Sequence, residues 1–356
     1  MNYAVILAGG AGTRLWPLSR EGLSKPALKL YSDQSMFQIT VERILPIFPP
    51  EHIFIVSGAE GAQILAGQVP AIPRENFLIE PVGRNTAPAI ALAAIHLQAR
   101  DANASMAVLT ADHYIGEPAT FCRALSAGLE MAARGFLVTL GINPTYPSSE
   151  YGYIAQAESL GEVGGFPVYR AERFVEKPNA ERAQTMLSVG GYVWNSGMFV
   201  WQVAQLLTEI ERQMPNLYET IMRIANLIGQ KDYEAVLSTS WPGLAKQSID
   251  YGIMEHARQV AVIPVEMAWK DIGSWSSLKS LMEEDAGGNS LRGEVMLRHS
   301  SGNLVLGNGR LIAGIGLQDL IVVDTRDALL ICRKDQESEL RKLVAELKES
   351  GHADLL

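Results

Sequence analysis

The sequence predicts an α/β protein with a doubly wound, mostly parallel sheet, followed by a small β-rich module that ends in a helix. Short apolar runs, such as residues 3–7 and 106–109, alternate with segments whose apolar residues recur at helical spacing, such as 87–100. This alternation is typical of parallel strands covered by helices on both faces. Beyond about residue 287 the helical spacing gives way to short strands separated by turn residues, which indicates a second domain.

The elements are expected in the following order along the chain. Strands are predicted at 3–7, 53–56, 78–81, 106–109, 136–140, 151–154, 169–175 and 193–201, and helices at 35–48, 87–100, 121–133, 180–187, 203–214, 218–228 and 248–257. We interpret residues 150–201 as a mixed-sheet insertion that closes over one end of the parallel sheet. In the tail, strands are predicted at 295–297, 304–306, 311–313, 320–323 and 328–332, before a helix that has one apolar face.

The composition narrows the classes of protein to which the chain can belong. Its 356 residues are 47% hydrophobic, enough for a substantial core, and its net charge of −9 argues against nucleic acid as a partner. Two cysteines favour free thiols in a reducing compartment over a disulfide framework or a zinc site. With no apolar run of about eighteen residues and no signal peptide, we expect a cytoplasmic protein that does not bind membranes.

A glycine-rich segment follows the first strand directly. Gly9, Gly10 and Gly12 precede Thr13, and glycine lets backbone N–H groups approach phosphates closely because it has no Cβ. The segment lies where open α/β sheets bind ligands, at the carboxyl end of a strand. Two cations, Arg14 and Lys25, follow shortly afterwards. The segment therefore predicts a polyphosphate site.

Two familiar phosphate loops are disfavoured here. The dinucleotide fingerprint requires a third glycine where Leu15 stands, and an acidic residue where the strand 53–56 ends in Ser57 and Gly58. The P-loop requires a Gly-Lys-Ser/Thr ending, and Lys25 lies well downstream of it. A glycine-rich turn that binds no ligand remains the alternative interpretation.

Asp112 is the first candidate metal ligand. It comes just after the strand at 106–109, so its carboxylate is expected near the same edge of the sheet as the glycine-rich loop. A single carboxylate in such a place commonly binds Mg²⁺ together with substrate phosphates. The alternative is an N-cap for the helix that follows.

Several blocks of the chain resemble the signature blocks of the sugar nucleotidyltransferase family. They are the opening loop and residues 110–113 (Thr-Ala-Asp-His), 174–178 (Phe-Val-Glu-Lys-Pro), 194–199 (Trp-Asn-Ser-Gly-Met-Phe) and 271–275 (Asp-Ile-Gly-Ser-Trp), in that order. Residues 80–88 (Glu-Pro-Val-Gly-Arg-Asn-Thr-Ala-Pro) and 248–251 (Ser-Ile-Asp-Tyr) resemble the guanylyl branch, the mannose-1-phosphate guanylyltransferases. The resemblance implies a Rossmann-like nucleotidyltransferase catalytic domain over 1–287 and a β-helix-like module over 288–356.

The resemblance also implies substrates, a cofactor and residue roles. The substrates would be GTP and mannose 1-phosphate, and the products GDP-mannose and diphosphate. Gly9, Gly10, Gly12 and Thr13 would hold the GTP phosphates, Arg14 and Lys25 would stabilise the departing diphosphate, and Asp112 and Asp271 would share Mg²⁺. Glu80, Asn85 and Thr86 would face the base, and a carboxylate suits the N1–H and N2–H₂ donors of guanine. Gly152, Glu176 and Asn195 would bind the sugar, and Lys177 its phosphate.

Some features depart from the family pattern, and some alternatives stay open. Ala11 stands where serine is common, and Ser24-Lys25-Pro26 where Pro-Lys-Gln is common, while Lys25 itself is kept in place. No isomerase domain follows, so we expect no isomerase activity; a homodimer is possible. The alternatives are a nucleotidyltransferase for another sugar or base, and a non-catalytic subunit that senses GDP-mannose.

Overall fold

The computed structural model describes residues 1–10, 12–20 and 22–356. Ala11, one of the departures from the family pattern, lies outside the described residues. The chain forms two compact units: the first contains Met1–Gly9, Thr40–Ala111 and Ile115–Trp269, and the second contains Gly10–Ile39, Asp112–Tyr114 and Lys270–Leu356.

The first unit is built on one large sheet. Its strands are β1 (Asn2–Leu7), β2 (Ile53–Ser57), β3 (Phe77–Ile79), β4 (Ser105–Thr110), β6 (Leu137–Ile142), β7 (Tyr153–Val163), β8 (Phe166–Val175), β9 (Tyr192–Gln202) and β10 (Val260–Pro264). They lie in the order β3-β2-β1-β4-β9-β6-β10-β8-β7, and the short strands β5 (His113–Ile115) and β11 (Trp269–Asp271) form a sheet of their own. The row β3-β2-β1-β4 is parallel, as is the pair β6 and β10, and the α/β class is confirmed.

The interpretation of residues 150–201 as a mixed-sheet insertion that closes over one end of the parallel sheet is wrong. Strand β9 runs antiparallel between β4 and β6, inside the same sheet, and β7 and β8 continue that sheet at its far edge. An antiparallel strand closes the gap between two parallel sets because it forms hydrogen bonds with both neighbours. The buried run of β9, which includes Phe199 and Trp201, was therefore a sign of a central strand.

Helices cover this sheet and continue into the tail. They are α1 (Met36–Ile44), α2 (Ala59–Gln68), α3 (Thr86–Arg100), α4 (Pro118–Ala133), α5 (Ala180–Val189), α6 (Val203–Gln213), α7 (Pro215–Ala225), α8 (Tyr233–Ser240), α9 (Ile249–Gly252), α10 (Trp275–Lys279) and α11 (Leu340–Glu349). The helix predicted over 248–257 is wrong in length: α9 stops at Gly252, and a short 3-10 turn at Met254–His256 follows.

The second unit contains a small parallel coil. Strands β12 (Ser290–Arg292), β14 (Leu304–Leu306) and β16 (Leu320–Asp324) are parallel, and β17 (Leu329–Arg333) runs antiparallel to β16. A second parallel pair joins β13 (Val295–Arg298) to β15 (Ile312–Ile315). Two buried asparagines link successive turns: the Asn303 amide donates to Oδ1 of Asn289 at 2.8 Å, and Asn303 Oδ1 accepts from the backbone N–H of Leu320 at 2.9 Å.

The residues that follow the glycine-rich segment pack in the core of this second unit. Leu15 and Trp16 are buried in one cluster with Trp275 and with Ile321 of β16. The Trp16 indole N–H also donates to the carbonyl of Leu355 at 2.8 Å. The loop that we expect to bind phosphate is therefore held by apolar residues from the end of the chain.

The residues that the structure describes include no helix with both the length and the apolar character needed to cross a membrane. The two cysteines, Cys122 and Cys332, are among the described residues and are free, half-buried thiols.

Candidate active site

The glycine-rich loop leaves β1 at Gly9, which is exposed like its neighbour Gly10. Gly10 and Gly12 have φ values of 103° and 59°, a region that side chains rarely adopt. A Cβ added at Gly12 would lie 3.0 Å from the Cβ of Lys25, so only glycine lets the lysine approach this closely. Thr13 begins a short 3-10 turn and is exposed.

Lys25 lies between two carboxylates of the second unit. Its ammonium nitrogen is 2.8 Å from an Asp112 oxygen and 3.5 Å from an Asp271 oxygen. Because both carboxylate oxygens lie near the same nitrogen, the Asp112 oxygen and the Asp271 oxygen are also close to each other. The lysine side chain is buried, whereas 35% of the Asp112 side chain and 29% of the Asp271 side chain are exposed. The structure thus brings together two aspartates that are remote in sequence and leaves both accessible.

Strand pairing explains this convergence. Asp112 immediately precedes β5, and Asp271 ends β11. These two strands form a two-stranded sheet, so the ladder carries both carboxylates to one place. His113, to which sequence reasoning gave no role, has its Nε2 3.8 Å from an Asp112 oxygen.

Electrostatics keep Asp112 ionised. Burial alone raises its pKa, but the positive charges of Lys25 and His113 and the hydrogen bond from Lys25 outweigh burial and lower the pKa to about 2. Asp112 is therefore a carboxylate throughout the physiological range of pH.

Arg14 lies at the same place. A Cβ added at Gly273 would lie 3.1 Å from Nη1 of Arg14, so the guanidinium rests directly against this glycine, two residues after Asp271. Arg14 is exposed. The second unit thus presents two cations, two carboxylates and a glycine-rich backbone in one cluster, which we call the phosphate cluster: Gly12, Arg14, Lys25, Asp112 and Asp271.

The phosphate cluster has the ligands that suit a divalent cation such as Mg²⁺ bound together with a phosphate group. Within the described ranges no group of three or more His, Cys, Asp or Glu side chains is arranged to hold a metal. Mg²⁺ is commonly bound by one or two carboxylates, with water and substrate phosphates supplying the other oxygens. Two accessible carboxylates beside a glycine-rich loop match that pattern.

Glu80 lies after β3 in the first unit and carries a buried carboxylate oxygen. Its Oε1 has no hydrogen-bond partner in the part of the chain that the structure describes. Burial raises the pKa of Glu80 to about 7 from its ordinary value of 4.5. A buried acceptor without a donor costs free energy, so this position favours a ligand that brings N–H donors.

Asn85 and Thr86 begin helix α3 close to Glu80 in sequence. Asn85 has a φ of 70°, and its side chain caps the helix by accepting from the N–H of Thr86 at 2.8 Å. The Thr86 hydroxyl accepts from the backbone N–H of Ile249 at 2.8 Å. Both side chains therefore already have a structural function, and Thr86 connects this loop to the start of α9.

Three predicted sugar-site residues meet in the first unit around a glycine. A Cβ added at Gly152 would lie 2.4 Å from Oε2 of Glu176 and 3.5 Å from the Cβ of Asn195. The N–H of Asn195 donates to the carbonyl of Gly152 at 2.8 Å. Only glycine leaves room for both side chains here, and we call this group the sugar cluster: Gly152, Glu176, Lys177 and Asn195.

Lys177 completes the sugar cluster. Its ammonium lies 2.9 Å from Oε1 of Glu176, and this hydrogen bond, with nearby negative charges, raises its pKa. Lys177 has a φ of 42°, unusual for a residue with a side chain. Strain of this kind is concentrated at ligand sites. The lysine is mostly exposed, so its charge remains available to a phosphate.

Sequence reasoning gave no role to Asp250, which the structure places against the sugar cluster. Its Oδ1 accepts from the Asn195 side-chain amide at 2.6 Å. The only sequence signal was its position inside the Ser-Ile-Asp-Tyr block.

A large α/β sheet, together with a glycine-rich loop, two cations and two carboxylates, suits an enzyme that transfers a nucleotide. The chain belongs to the nucleotidyl transferase family, whose model matches residues 3–287, and a second model, MannoseP isomerase/GMP-like beta-helix domain, matches residues 293–347. These matches confirm the predicted enzyme class and the β-helix-like tail. Enzymes of this family generally use a divalent metal ion.

The chain is similar to several named proteins. It is 38% identical to a mannose-1-phosphate guanylyltransferase of Salmonella montevideo, over 99% of this chain and 75% of that protein. It is 37% identical to the alginate biosynthesis protein AlgA of Pseudomonas aeruginosa, over 98% of this chain and 73% of that protein. A crystal structure described as mannose-1-phosphate geranyltransferase from Thermus thermophilus is 35% identical, with a TM-score of 0.88, over 98% of this chain and 99% of that one.

Proposed function

We propose that this chain is a mannose-1-phosphate guanylyltransferase, which converts GTP and α-D-mannose 1-phosphate into GDP-mannose and diphosphate. The observation that carries the proposal is the phosphate cluster, in which Lys25 contacts both Asp112 and Asp271 while Arg14 lies against Gly273. The relatives named as mannose-1-phosphate guanylyltransferases support the choice of base and sugar.

The phosphate cluster would bind the triphosphate. The backbone N–H groups of Gly9, Gly10 and Gly12, with Thr13, would hold the phosphate oxygens. Arg14 and Lys25 would neutralise the charge that grows on the diphosphate as it leaves. Asp112 and Asp271 would hold Mg²⁺, which supplies further positive charge at the phosphates when bound.

Glu80 would select guanine. A carboxylate accepts from guanine N1–H and N2–H₂ together, a donor pair that adenine lacks. The buried Oε1 of Glu80 gives this assignment a physical basis, because the base would supply the missing donors. Asn85 and Thr86 would shape the loop beside the base, through the cap on α3 and the bond to Ile249.

The sugar cluster would hold mannose 1-phosphate. Glu176 and Asn195 would bind hydroxyl groups, the N–H of Gly152 would face the ring, and Lys177 would bind the phosphate. The sugar phosphate is already an anion at neutral pH, so no general base is needed. Its oxygen would attack the α-phosphorus of GTP in line, a new P–O bond would form, and the bond to the β-phosphate oxygen would break to release diphosphate. The residues would act by alignment and charge neutralisation.

The test is a diphosphate-release assay with purified protein, Mg²⁺, each of GTP, ATP, UTP, CTP and dTTP, and each of several sugar 1-phosphates. We expect GTP with mannose 1-phosphate to give the highest kcat/KM, and turnover to require the metal. Preference for dTTP or UTP would assign the chain to another branch of the family. Tight binding of GDP-mannose without turnover would favour the sensing subunit.

Three further expectations belong to the same proposal. We propose a catalytic domain over 1–287 and a β-rich module over 288–356, with a homodimer as the assembly to test. We propose a cytoplasmic location, which two free thiols and nucleotide substrates support. GTP and mannose 1-phosphate are the proposed partners, with neither nucleic acid nor membrane.

A further inference from the structure

Asp250 is a carboxylate that the proposed chemistry does not use. It lies in α9, and its Oδ1 is 2.6 Å from the side-chain nitrogen of Asn195. Two hydrogen bonds hold the backbone around Asp250. The N–H of the preceding residue, Ile249, donates to the Thr86 hydroxyl, and the Ser248 side chain caps α9. The carboxylate is therefore held at a fixed place beside the sugar cluster.

The hydrogen bonds fix which way the Asn195 amide points. Its Oδ1 lies 3.1 Å from the backbone N–H of Gly197, which can only donate, and 3.3 Å from the Thr139 hydroxyl. Its Nδ2 lies against the Asp250 carboxylate, which accepts. Both ends of the amide require the same orientation. Asn195 therefore uses one N–H for Asp250 and has a second N–H that it can offer to a ligand.

Asp250 shares a small cavity with two members of the sugar cluster, Gly152 and Glu176. A cavity of about 10 Å³ is lined by Gly152, Glu176, Asp250 and Tyr251, among others. This is about the volume that one water molecule needs. Burial, and secondarily the negative charge of Glu176, raise the pKa of Asp250, although its hydrogen bond with Asn195 lowers it. A further hydrogen-bond donor near Asp250 would therefore stabilise its ionised carboxylate.

We infer that Asp250 is a further sugar-binding residue, which together with Asn195 forms a donor–acceptor pair around one hydroxyl group of the sugar. The inference rests on the proposed function. A hydroxyl group both accepts and donates, so it accepts the second N–H of Asn195 and donates to the Asp250 carboxylate. The Asn195 amide already binds Oδ1 of Asp250, so a hydroxyl group that accepts the second N–H would donate to the other carboxylate oxygen, Oδ2.

The first experiment measures binding rather than turnover. GDP-mannose and GDP are titrated by calorimetry into the wild type, Asp250→Asn and Asp232→Asn, the last being an exposed aspartate of the same unit that serves as a matched control. We expect Asp250→Asn to weaken GDP-mannose binding roughly tenfold to a hundredfold, the range for hydrogen bonds to charged groups, and to leave GDP binding unchanged. The control should match the wild type for both.

The second experiment identifies the hydroxyl. The values of kcat/KM are compared for mannose 1-phosphate and its 2-, 3-, 4- and 6-deoxy analogues in the wild type and Asp250→Asn. The penalty of the substitution should vanish for one analogue, because that analogue lacks the hydroxyl that Asp250 holds. An equal penalty for every analogue would assign Asp250 a structural role and overturn the inference.

The two proposals fail in different ways. A wild type that binds GDP and makes GDP-mannose, but whose GDP-mannose affinity is unchanged by Asp250→Asn, refutes only the role of Asp250. A wild type that neither binds GDP nor releases diphosphate with any nucleotide refutes the proposed function, and the role of Asp250 with it.

Discussion

The Lys25 ammonium lies 2.8 Å from an Asp112 oxygen although the two residues are 87 positions apart in sequence. The same nitrogen is 3.5 Å from Asp271, so one buried cation holds two carboxylates of the phosphate cluster in place. A charged group this buried is stable only when it is paired. The arrangement gives Lys25 two functions that experiments can separate, one toward phosphate and one toward the carboxylates.

Replacing Lys25 by alanine should lower kcat roughly a hundredfold or more, the scale for losing one donor that stabilises developing charge. The Mg²⁺ concentration for half-maximal rate should fall, because the ammonium no longer offsets the charge of Asp112 and Asp271. Initial rates across a metal titration measure both quantities. Lys29→Ala is the matched control, since Lys29 is exposed and lies only four residues away. An unchanged kcat in Lys25→Ala would remove this lysine from the reaction.

Asp112→Asn should lose most of the activity while the protein folds normally. An amide has the shape of the carboxylate but lacks the charge that attracts the divalent cation. Circular dichroism should match the wild type, and diphosphate release should remain low even at high Mg²⁺. Normal turnover at limiting Mg²⁺ would exclude Asp112 as a metal ligand.

Glu80 should make stability depend on pH. Its pKa is raised from 4.5 to about 7, so its protonated form is favoured in the folded state. This contribution to stability is present in full below about pH 4.5 and is lost as the pH rises through about 7. As the pH rises from about 4.5 to about 7, the melting temperature of the wild type should therefore fall relative to that of Glu80→Gln. At higher pH the difference between the two melting temperatures should stay constant. Parallel curves at every pH would contradict the raised pKa.

The same carboxyl group should link GTP binding to pH. Guanine donors favour the ionised form, so the KM for GTP in the wild type should rise as the pH falls below about 7. Glu80→Gln should have a higher KM with a flatter pH profile. An identical profile in both proteins would indicate that Glu80 does not contact the base.

Gly152→Ala should impair sugar binding selectively. The new Cβ would lie 2.4 Å from Oε2 of Glu176, so the carboxylate must move away from position 152. We expect the KM for mannose 1-phosphate to rise about tenfold, as for a lost hydrogen bond to a charged group, and the KM for GTP to change little. Gly67→Ala is the control, because Gly67 belongs to helix α2 and a Cβ there would have, among the described residues, no heavy atom within 4 Å apart from its chain neighbours and the backbone of its own helix. Equal effects on both substrates would contradict the assignment.

Asn303→Ala should destabilise the second unit. The buried side chain donates to Asn289 and to the Leu317 carbonyl and accepts from Leu320, and losing these bonds should cost about 2–3 kcal/mol. Because Gly10–Ile39 belongs to the same unit, the KM for GTP should rise as well. Asn308→Ala, in an exposed turn, should leave both properties unchanged. Urea unfolding and initial rates provide the measurements.

The sequence by itself determined the local features of this protein. Apolar periodicity located the strands around Val5 and Val108 and the helix that begins at Thr86, because burial on one face leaves a pattern in the chain. The glycines at 10 and 12 and the aspartate after β4 predicted a phosphate site, because backbone freedom and charge are properties of single residues. The resemblance added Asp271 to this site, which spacing alone did not do.

Only the tertiary structure decided which distant segments meet. It placed β9 between β4 and β6, assigned the glycine-rich segment to the unit that contains the tail, and brought Asp250 to Asn195. A periodic pattern shows that one face of a helix or strand is buried, but it does not show which other element covers that face. The covering element is set by the packing of segments that are remote in sequence.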